Sequence, residues 1–412
     1  MIIKNIKRLI THKTDGKEKR PIILENLSLK INRDKIGYIN RHFKTNRYSK
    51  EEVIDATKKA VLPGFIECHT HTVFGGSRID DFERRSNGLS YLEILKAGGG
   101  INYTVSCTRR TDDTTLTELG INRIKEFIKY GVTTLEIKSG YGLSAYQEIR
   151  LLRVINQLKR ISQIEIVPTF LGAHTFPKEY RDKKEDYIEI IINEMLPRVK
   201  RERLSGFCDI FCEDGAFDIT QTEKILSYAK RMGFRLKIHS DQLTNTGASL
   251  LAARLKCISA DHLDKIDDKS INALKKSKTT AVLLPYATLF TGQKEYAPAR
   301  KMIDNGLRVA ISTDFNPGSS YTFNLPFCAL LGITQMKMSV DEALMSITIN
   351  AAYALGLQKR KGSIEAGKDA DLIILNTDDY REIFYHPDPS LINTVIAKGK
   401  VIYRNELSDF LY

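Results

Sequence analysis

The sequence predicts an α/β fold, a (β/α)8 barrel with a small β-sandwich domain built from both chain ends. Three observations predict it. Between residues 61 and 360, short apolar runs alternate with helix-like stretches, the pattern of parallel strands buried on both faces. There are eight such runs, the number a closed barrel of this kind needs. Residues 1–60 and 361–412 read instead as short strands broken by polar turns.

In chain order, "IIKNIKRLIT", "IILENLSLKI" and "KIGYI" open the small domain. The barrel runs follow: "GFIECHTH", "TTLEIKSG", "IEIVPTFLGAH", "CDIFCEDG", "RLKIHSDQ", "CISADHL", "TAVLLPYA" and "RVAISTDFNPG". Helices lie between them, among them 116–130 ("LTELGINRIKEFIKY") and 220–233 ("TQTEKILSYAKRMG"), whose apolar residues recur at helical spacing. "KGSIEAGKDADLIILN" and "NTVIAKGKVIYRN" return to the strand character of the first residues and close the small domain.

The chain has 412 residues, 42% of them apolar, enough for one large core with an appendage. Its six cysteines are scattered through apolar segments, as reduced core residues of a cytoplasmic protein are. Cys208 and Cys212 have no second pair to complete a zinc ribbon. No signal-peptide pattern and no apolar run of membrane-spanning length occurs. The 63 Lys and Arg against 50 Asp and Glu give a formal charge of +13, and residues 1–60 hold +9 of it. No helix-turn-helix, zinc finger or aromatic RNA-binding motif accompanies that charge, so neither nucleic acid nor membrane is expected as a partner. A basic surface does draw in a small anionic substrate.

Polar, chemically capable residues end the barrel runs: His69, His71, Lys138, His174, His239, His262 and Asp314. Five of the eight histidines are among them. The C-terminal ends of the strands are where a barrel of this type builds its active site. His69 and His71 are i and i+2 on a strand and face the same way, into the interior. With His239 ending the fifth run and Asp314 the eighth, three imidazoles and a carboxylate suit one Zn2+ or Fe2+/Fe3+ ion per chain, with a position left for water.

"PGFIECHTH", "KIHSDQ", "SADHL" and "STD", in that order, resemble the amidohydrolase superfamily. "HTHTVFGGSR", "EIKSGYGL", "TFLGAHTFP", "IFCEDGAF", "KIHSDQL" and "STDFNPGSS" resemble more closely its imidazolonepropionase family, ring-opening hydrolases of histidine degradation. The likeness spans roughly residues 60–375. It implies a mononuclear site, in keeping with a fourth run that ends in "FCEDG", without the modified lysine of dinuclear relatives. Lys138 ends the second run and is read as a structural ion pair. The resemblance further implies hydrolysis of 4-imidazolone-5-propanoate to N-formimidoyl-L-glutamate by a homodimer. The alternative is another cyclic amidohydrolase or an aminohydrolase of the same superfamily; a ligand-stripped scaffold barrel is disfavoured because all four metal ligands are present.

Asp314 is expected to ligate the metal and carry the proton, with His262 beside the water or the developing oxyanion. Arg78, with its guanidinium fork, suits a carboxylate or a polarised carbonyl. Tyr141 lies between two glycines. His174 is expected to donate to a carbonyl or ring nitrogen. Tyr91 matches a further family contact and equally fits helix packing. Asn316, the Gly318 backbone and Ser319 form a turn suited to an anionic tail. Gln242 stands where some family members carry glutamate; it cannot act as a base, which assigns it to substrate binding.

Overall fold

The structure, a computed structural model, describes residues 1–14, 20–40, 52–89, 93–94 and 98–405. The N-terminal part contributes β1 (Ile2–Thr11), β2 (Ile22–Asn32), β3 (Lys35–Asn40), β4 (Val53–Asp55) and β5 (Ala60–Pro63). Eight strands then follow: β6 (Phe65–Glu67), β7 (Val132–Lys138), β8 (Glu165–Ala173), β9 (Phe207–Cys212), β10 (Arg235–Ser240), β11 (Ser259–His262), β12 (Thr280–Leu283) and β13 (Val309–Ile311). The C-terminal part adds β14 (Leu372–Leu375), β15 (Ile392–Ala397) and β16 (Lys400–Arg404).

Strands β6 to β13 pair in sequence order, every pair parallel. Each coincides with one of the eight apolar runs, β7 and β9 starting one residue earlier. Beyond their C-terminal ends the first and last meet: Thr70 and Phe315 form a parallel bridge, and the His71 N–H donates to the Phe315 carbonyl at 2.9 Å. That contact closes the barrel over the place where the chemistry-bearing side chains gather.

The helices form where local chemistry starts and stops them. Asp112 accepts the Thr115 N–H at 2.9 Å and opens the helix Asp113–Lys129, which turns Leu116, Ile124, Phe127 and Ile128 into the core. Asp218 and Gln221 cap each other's backbone and open Ile219–Arg231. Gly131 and Gly233, at φ 83° and 80°, end these helices in the left-handed conformation that glycine takes without a Cβ clash.

Both chain ends share one eight-stranded sheet, ordered β16-β15-β14-β5-β1-β2-β3 with β4 on β1. It encloses a core in which Ile3, Leu9 and Leu29 from the N-terminal part meet Leu372, Ile374 and Ile396 from the C-terminal part. β5 belongs to this sheet, so the barrel starts at β6. Among the described residues no helix is long and apolar enough to cross a membrane.

A buried ion cluster joins this sheet to the barrel. Lys361 pairs with Asp371, with Glu165 at 3.3 Å on the first residue of β8, and with Asp369 at 3.5 Å. Asp371 also accepts the Lys398 N–H at 2.8 Å. Asp371→Ala leaves a buried ammonium with fewer counter-charges. Breaking a buried pair costs ~3–5 kcal/mol, and the two remaining carboxylates place the expected loss near the low end. Urea unfolding should show a loss of about 3 kcal/mol; a loss under ~1 kcal/mol would mean that the cluster does not hold the junction.

Candidate active site

Five side chains converge at the mouth of the barrel. His69 and His71 lie just beyond β6, His239 is in β10, His262 ends β11 and Asp314 follows β13. None is more than 3% exposed. The ligand atoms of His69, His71 and Asp314 lie within 4.8 Å of one another, as do those of His69, His239 and His262. His69 thus belongs to both groups. Its Nε2 is 3.4 Å from Asp314 Oδ1, and that of His71 is 3.6 Å from the same oxygen. His262 and Asp314 both hold left-handed backbone, at φ 77° and 54°. Such conformations cost energy in non-glycine residues and gather at functional sites.

The outer nitrogens of two imidazoles are fixed. His69 Nδ1 donates to Asp261 at 2.7 Å and His239 Nδ1 to Asp209 at 3.1 Å. That tautomer leaves the Nε2 lone pair of each facing the cluster. Both Nε2 atoms, and His71 Nδ1, are buried without a hydrogen-bond partner among the described residues. Burial holds His69, His71 and His262 well below the usual histidine range, so they are neutral at pH 7. Burial also drives Asp314 well above the usual carboxylate range. Buried imidazole nitrogens without partners, gathered beside a buried carboxylate, fit a resident metal ion.

Beneath the cluster lies a group of charges of which sequence reasoning saw only Lys138, read as a structural ion pair, and missed the rest. Lys138 Nζ is 2.6 Å from Asp209, 3.1 Å from Glu136 and 3.6 Å from Asp261. Lys237 Nζ is 2.8 Å from Glu136 and donates to the Cys68 carbonyl at 3.0 Å. All five side chains are fully buried. Burial opposes the charge on Lys138, but Asp209, Glu136 and Asp261 outweigh it and raise its pKa. For Asp209, burial is likewise outweighed, chiefly by Lys138 and His239, and its pKa falls well below the usual range. A sequence signal existed: Glu67 and His69, Glu136 and Lys138, and Lys237 and His239 are i, i+2 pairs inside apolar runs, all turned inward.

The expected substrate contacts divide. Tyr141 is buried with its ring 5.8 Å from that of His71, and His174 stacks on His71 at 5.0 Å. His174 Nδ1 donates to the Gly140 carbonyl at 3.0 Å, and burial pushes its pKa down to about 4. Its Nε2 therefore carries no proton at pH 7. With Nδ1 engaged by Gly140, the nitrogen left toward the site is suited to accept, where the sequence reading has it donating. Arg78 is gripped by Asp81, which also takes the Gly100 N–H at 2.9 Å. A Cβ on Gly318 would lie 3.0 Å from Arg78 Nη1, so that glycine lets the guanidinium lie against the turn after Asp314.

The turn itself departs from expectation. The Gly318 N–H, read as a donor to an anion, and the Ser319 N–H both donate to Asn316 Oδ1 at 2.8 Å. Asn316 Nδ2 donates to the Asp314 carbonyl at 2.7 Å and to Ser319 Oγ at 2.9 Å. Asn316 is thus a brace for Asp314. Gln242 stands two residues beyond β10, half-buried. Tyr91 lies outside the described residues.

Over residues 60–402 the chain matches the model of the amidohydrolase family. It is 47% identical over 352 residues to the imidazolonepropionase of Caldanaerobacter subterraneus subsp. tengcongensis, covering 85% of each chain. To that of Clostridium tetani it is 42% identical over 412 residues, covering 98% of each. Among solved structures it resembles a 5-methylcytosine deaminase of Klebsiella pneumoniae at TM-score 0.75 and 16% identity, over 98% of both chains. It also resembles the zinc-complexed atrazine chlorohydrolase of Arthrobacter aurescens at TM-score 0.74 and 16% identity, over 98% of this chain and 95% of that one. At such identity the structural likeness is one of fold.

Asn316→Ala should leave two backbone N–H groups without their acceptor, at a cost of about 1–3 kcal/mol. Asn316→Asp, which keeps an acceptor, should lose less. Urea midpoints of metal-free protein compare them; an alanine variant as stable as wild type would remove the brace from this account.

Proposed function

The chain belongs to the amidohydrolase family and, within it, to the imidazolonepropionases, and from that premise we propose that it hydrolyses 4-imidazolone-5-propanoate to N-formimidoyl-L-glutamate in histidine degradation. The observation that carries the reading is the cluster of neutral imidazoles around Asp314, with Arg78 held against the same turn.

His69, His71, His239 and Asp314 would hold one Zn2+ or iron ion. Bound there, such an ion would lower the pKa of water from 15.7 towards about 7 and so supply a nucleophile at neutral pH. The protein's own groups do the rest. Asp314 takes the proton of the attacking water and passes it to the leaving ring nitrogen. His262 lies beside the oxygen on which charge develops. Arg78 pairs with the propionate carboxylate. Tyr141 donates to the ring carbonyl, and His174, an acceptor at pH 7, takes a ring N–H. Gln242 hydrogen-bonds the substrate without titrating. Asn316, Gly318 and Ser319 set the turn that brings Asp314 and Arg78 together, and Tyr91 is a further contact. Water adds to the ring carbonyl carbon, the adjacent C–N bond breaks, and both nitrogens stay in the product. The same reading makes the enzyme a cytoplasmic homodimer without nucleic-acid or membrane partners; six free cysteine thiols support a reducing compartment.

Freshly prepared imidazolonepropionate is the test, with its ultraviolet absorbance and ammonia followed together. The absorbance should fall with no ammonia released. Arg78→Ala should lose tenfold or more in kcat/KM, mainly through KM, since truncating one partner of a buried charge pair costs ~2–5 kcal/mol. Ammonia in proportion to substrate lost, or turnover of cytosine in its place, would transfer the chain to the aminohydrolases.

A further inference from the structure

The charges under the site have no part in the chemistry just described. Two ammonium and three carboxylate groups fill the barrel interior where apolar side chains would pack without desolvating a charge. Their connectivity is specific. Asp209 reaches His239 through Oδ1 and Lys138 through Oδ2. Asp261 reaches His69 through Oδ2, the oxygen 3.6 Å from Lys138 Nζ. One ammonium, at the C-terminal end of β7, therefore stands between the two carboxylates that orient two imidazoles on β10 and beyond β6. His69 and His239 are the pair with the shortest ring separation in the cluster, 4.5 Å between centroids.

We propose that Lys138 is a positioning residue for the metal. Its ammonium holds Asp209 and Asp261 in place as acceptors of the two Nδ1 protons, so that His69 and His239 present Nε2 to a common point. The lysine is not itself a ligand, because its Nζ is surrounded by the three carboxylates. The carboxylate partners of metal-bound histidines typically change metal affinity 10–100-fold when lost, and here one residue governs two such partners. A lysine that served only to neutralise buried acids would affect the stability of the fold and leave the metal alone.

The inference rests on the reading of His69 and His239 as metal ligands, and not on the substrate. Wild-type protein that binds zinc but leaves imidazolonepropionate untouched would sink the proposed reaction and spare this one. Wild-type protein that binds neither zinc nor iron would sink both.

The test is zinc titration of the full-length, metal-free protein against a chromophoric chelator, with circular dichroism and thermal melting recorded on the same samples. Lys138→Met should weaken zinc binding at least tenfold in folded protein. Lys361→Met removes an equally buried lysine from the junction cluster. It should lower the melting temperature and leave zinc affinity within threefold of wild type. Asp209→Asn and Asp261→Asn, which keep side-chain size, should each weaken zinc 10–100-fold, and they decide the matter if Lys138→Met does not fold. Zinc affinity within threefold of wild type in folded Lys138→Met, or otherwise in both asparagine variants, overturns the proposal. So does an equal loss in Lys361→Met.

Discussion

An imidazole offers a lone pair to a cation only when its other nitrogen keeps the proton, and a buried imidazole keeps that proton in place only if something accepts it. At the mouth of this barrel Asp261 and Asp209 are the acceptors for His69 and His239. Those carboxylates are themselves buried beside Lys138 and Lys237, whose ammonium groups oppose the cost of burial: at Asp209 the attraction wins and the pKa falls, whereas at Asp261 burial wins and the pKa rises. The ammonium groups are in turn fixed on β7 and β10 by the parallel sheet. Strand register, ion pairing, tautomer and lone-pair direction form one chain of dependence from the backbone to the site.

The closure of the barrel serves the same end. The contact between Thr70 and Phe315 brings the segment carrying His69 and His71 beside the segment carrying Asp314, residues more than 240 positions apart in sequence. Asn316 then braces the turn from the far side, and Arg123 braces the near side by donating to the Thr72 and Phe74 carbonyls at 2.8 and 2.9 Å. Burial keeps most of the imidazoles neutral, which makes them ligands or acceptors and not cations. Positive charge at the mouth comes instead from Arg78, outside the imidazole cluster and oriented by Asp81.

Much of this was legible in the sequence because it is local. The eight apolar runs, the i, i+2 spacing of His69 and His71, the strand-end placement of His239, His262 and Asp314, and the strand character of the two chain ends all follow from patterns within a few residues. The interior charges were not legible in the same way. Asp209 and Asp261 sit in apolar runs like isolated polar residues, and only the folded barrel reveals that Asp209 on β9 faces His239 on the neighbouring β10, and that Asp261 on β11 reaches across the interior to His69. The direction of the His174 hydrogen bond depends on the Gly140 carbonyl, 34 residues away, and its reversal from donor to acceptor needed the structure. The "NPGSS" turn was recognised as a turn, but whether its N–H groups face outward or close on Asn316 is a matter of dihedral angles that composition does not specify.

X-ray absorption at the metal edge of the loaded enzyme tests the central claim most directly, because it reads the ligand atoms themselves. One metal per chain held by three imidazoles and Asp314 predicts a shell of nitrogen and oxygen at about 2.0–2.2 Å, with outer-shell scattering from three imidazole rings and none from a second metal. A metal–metal vector near ~3.5–4 Å, or sulfur in the first shell, would contradict the single-ion site that the buried charges are arranged to hold.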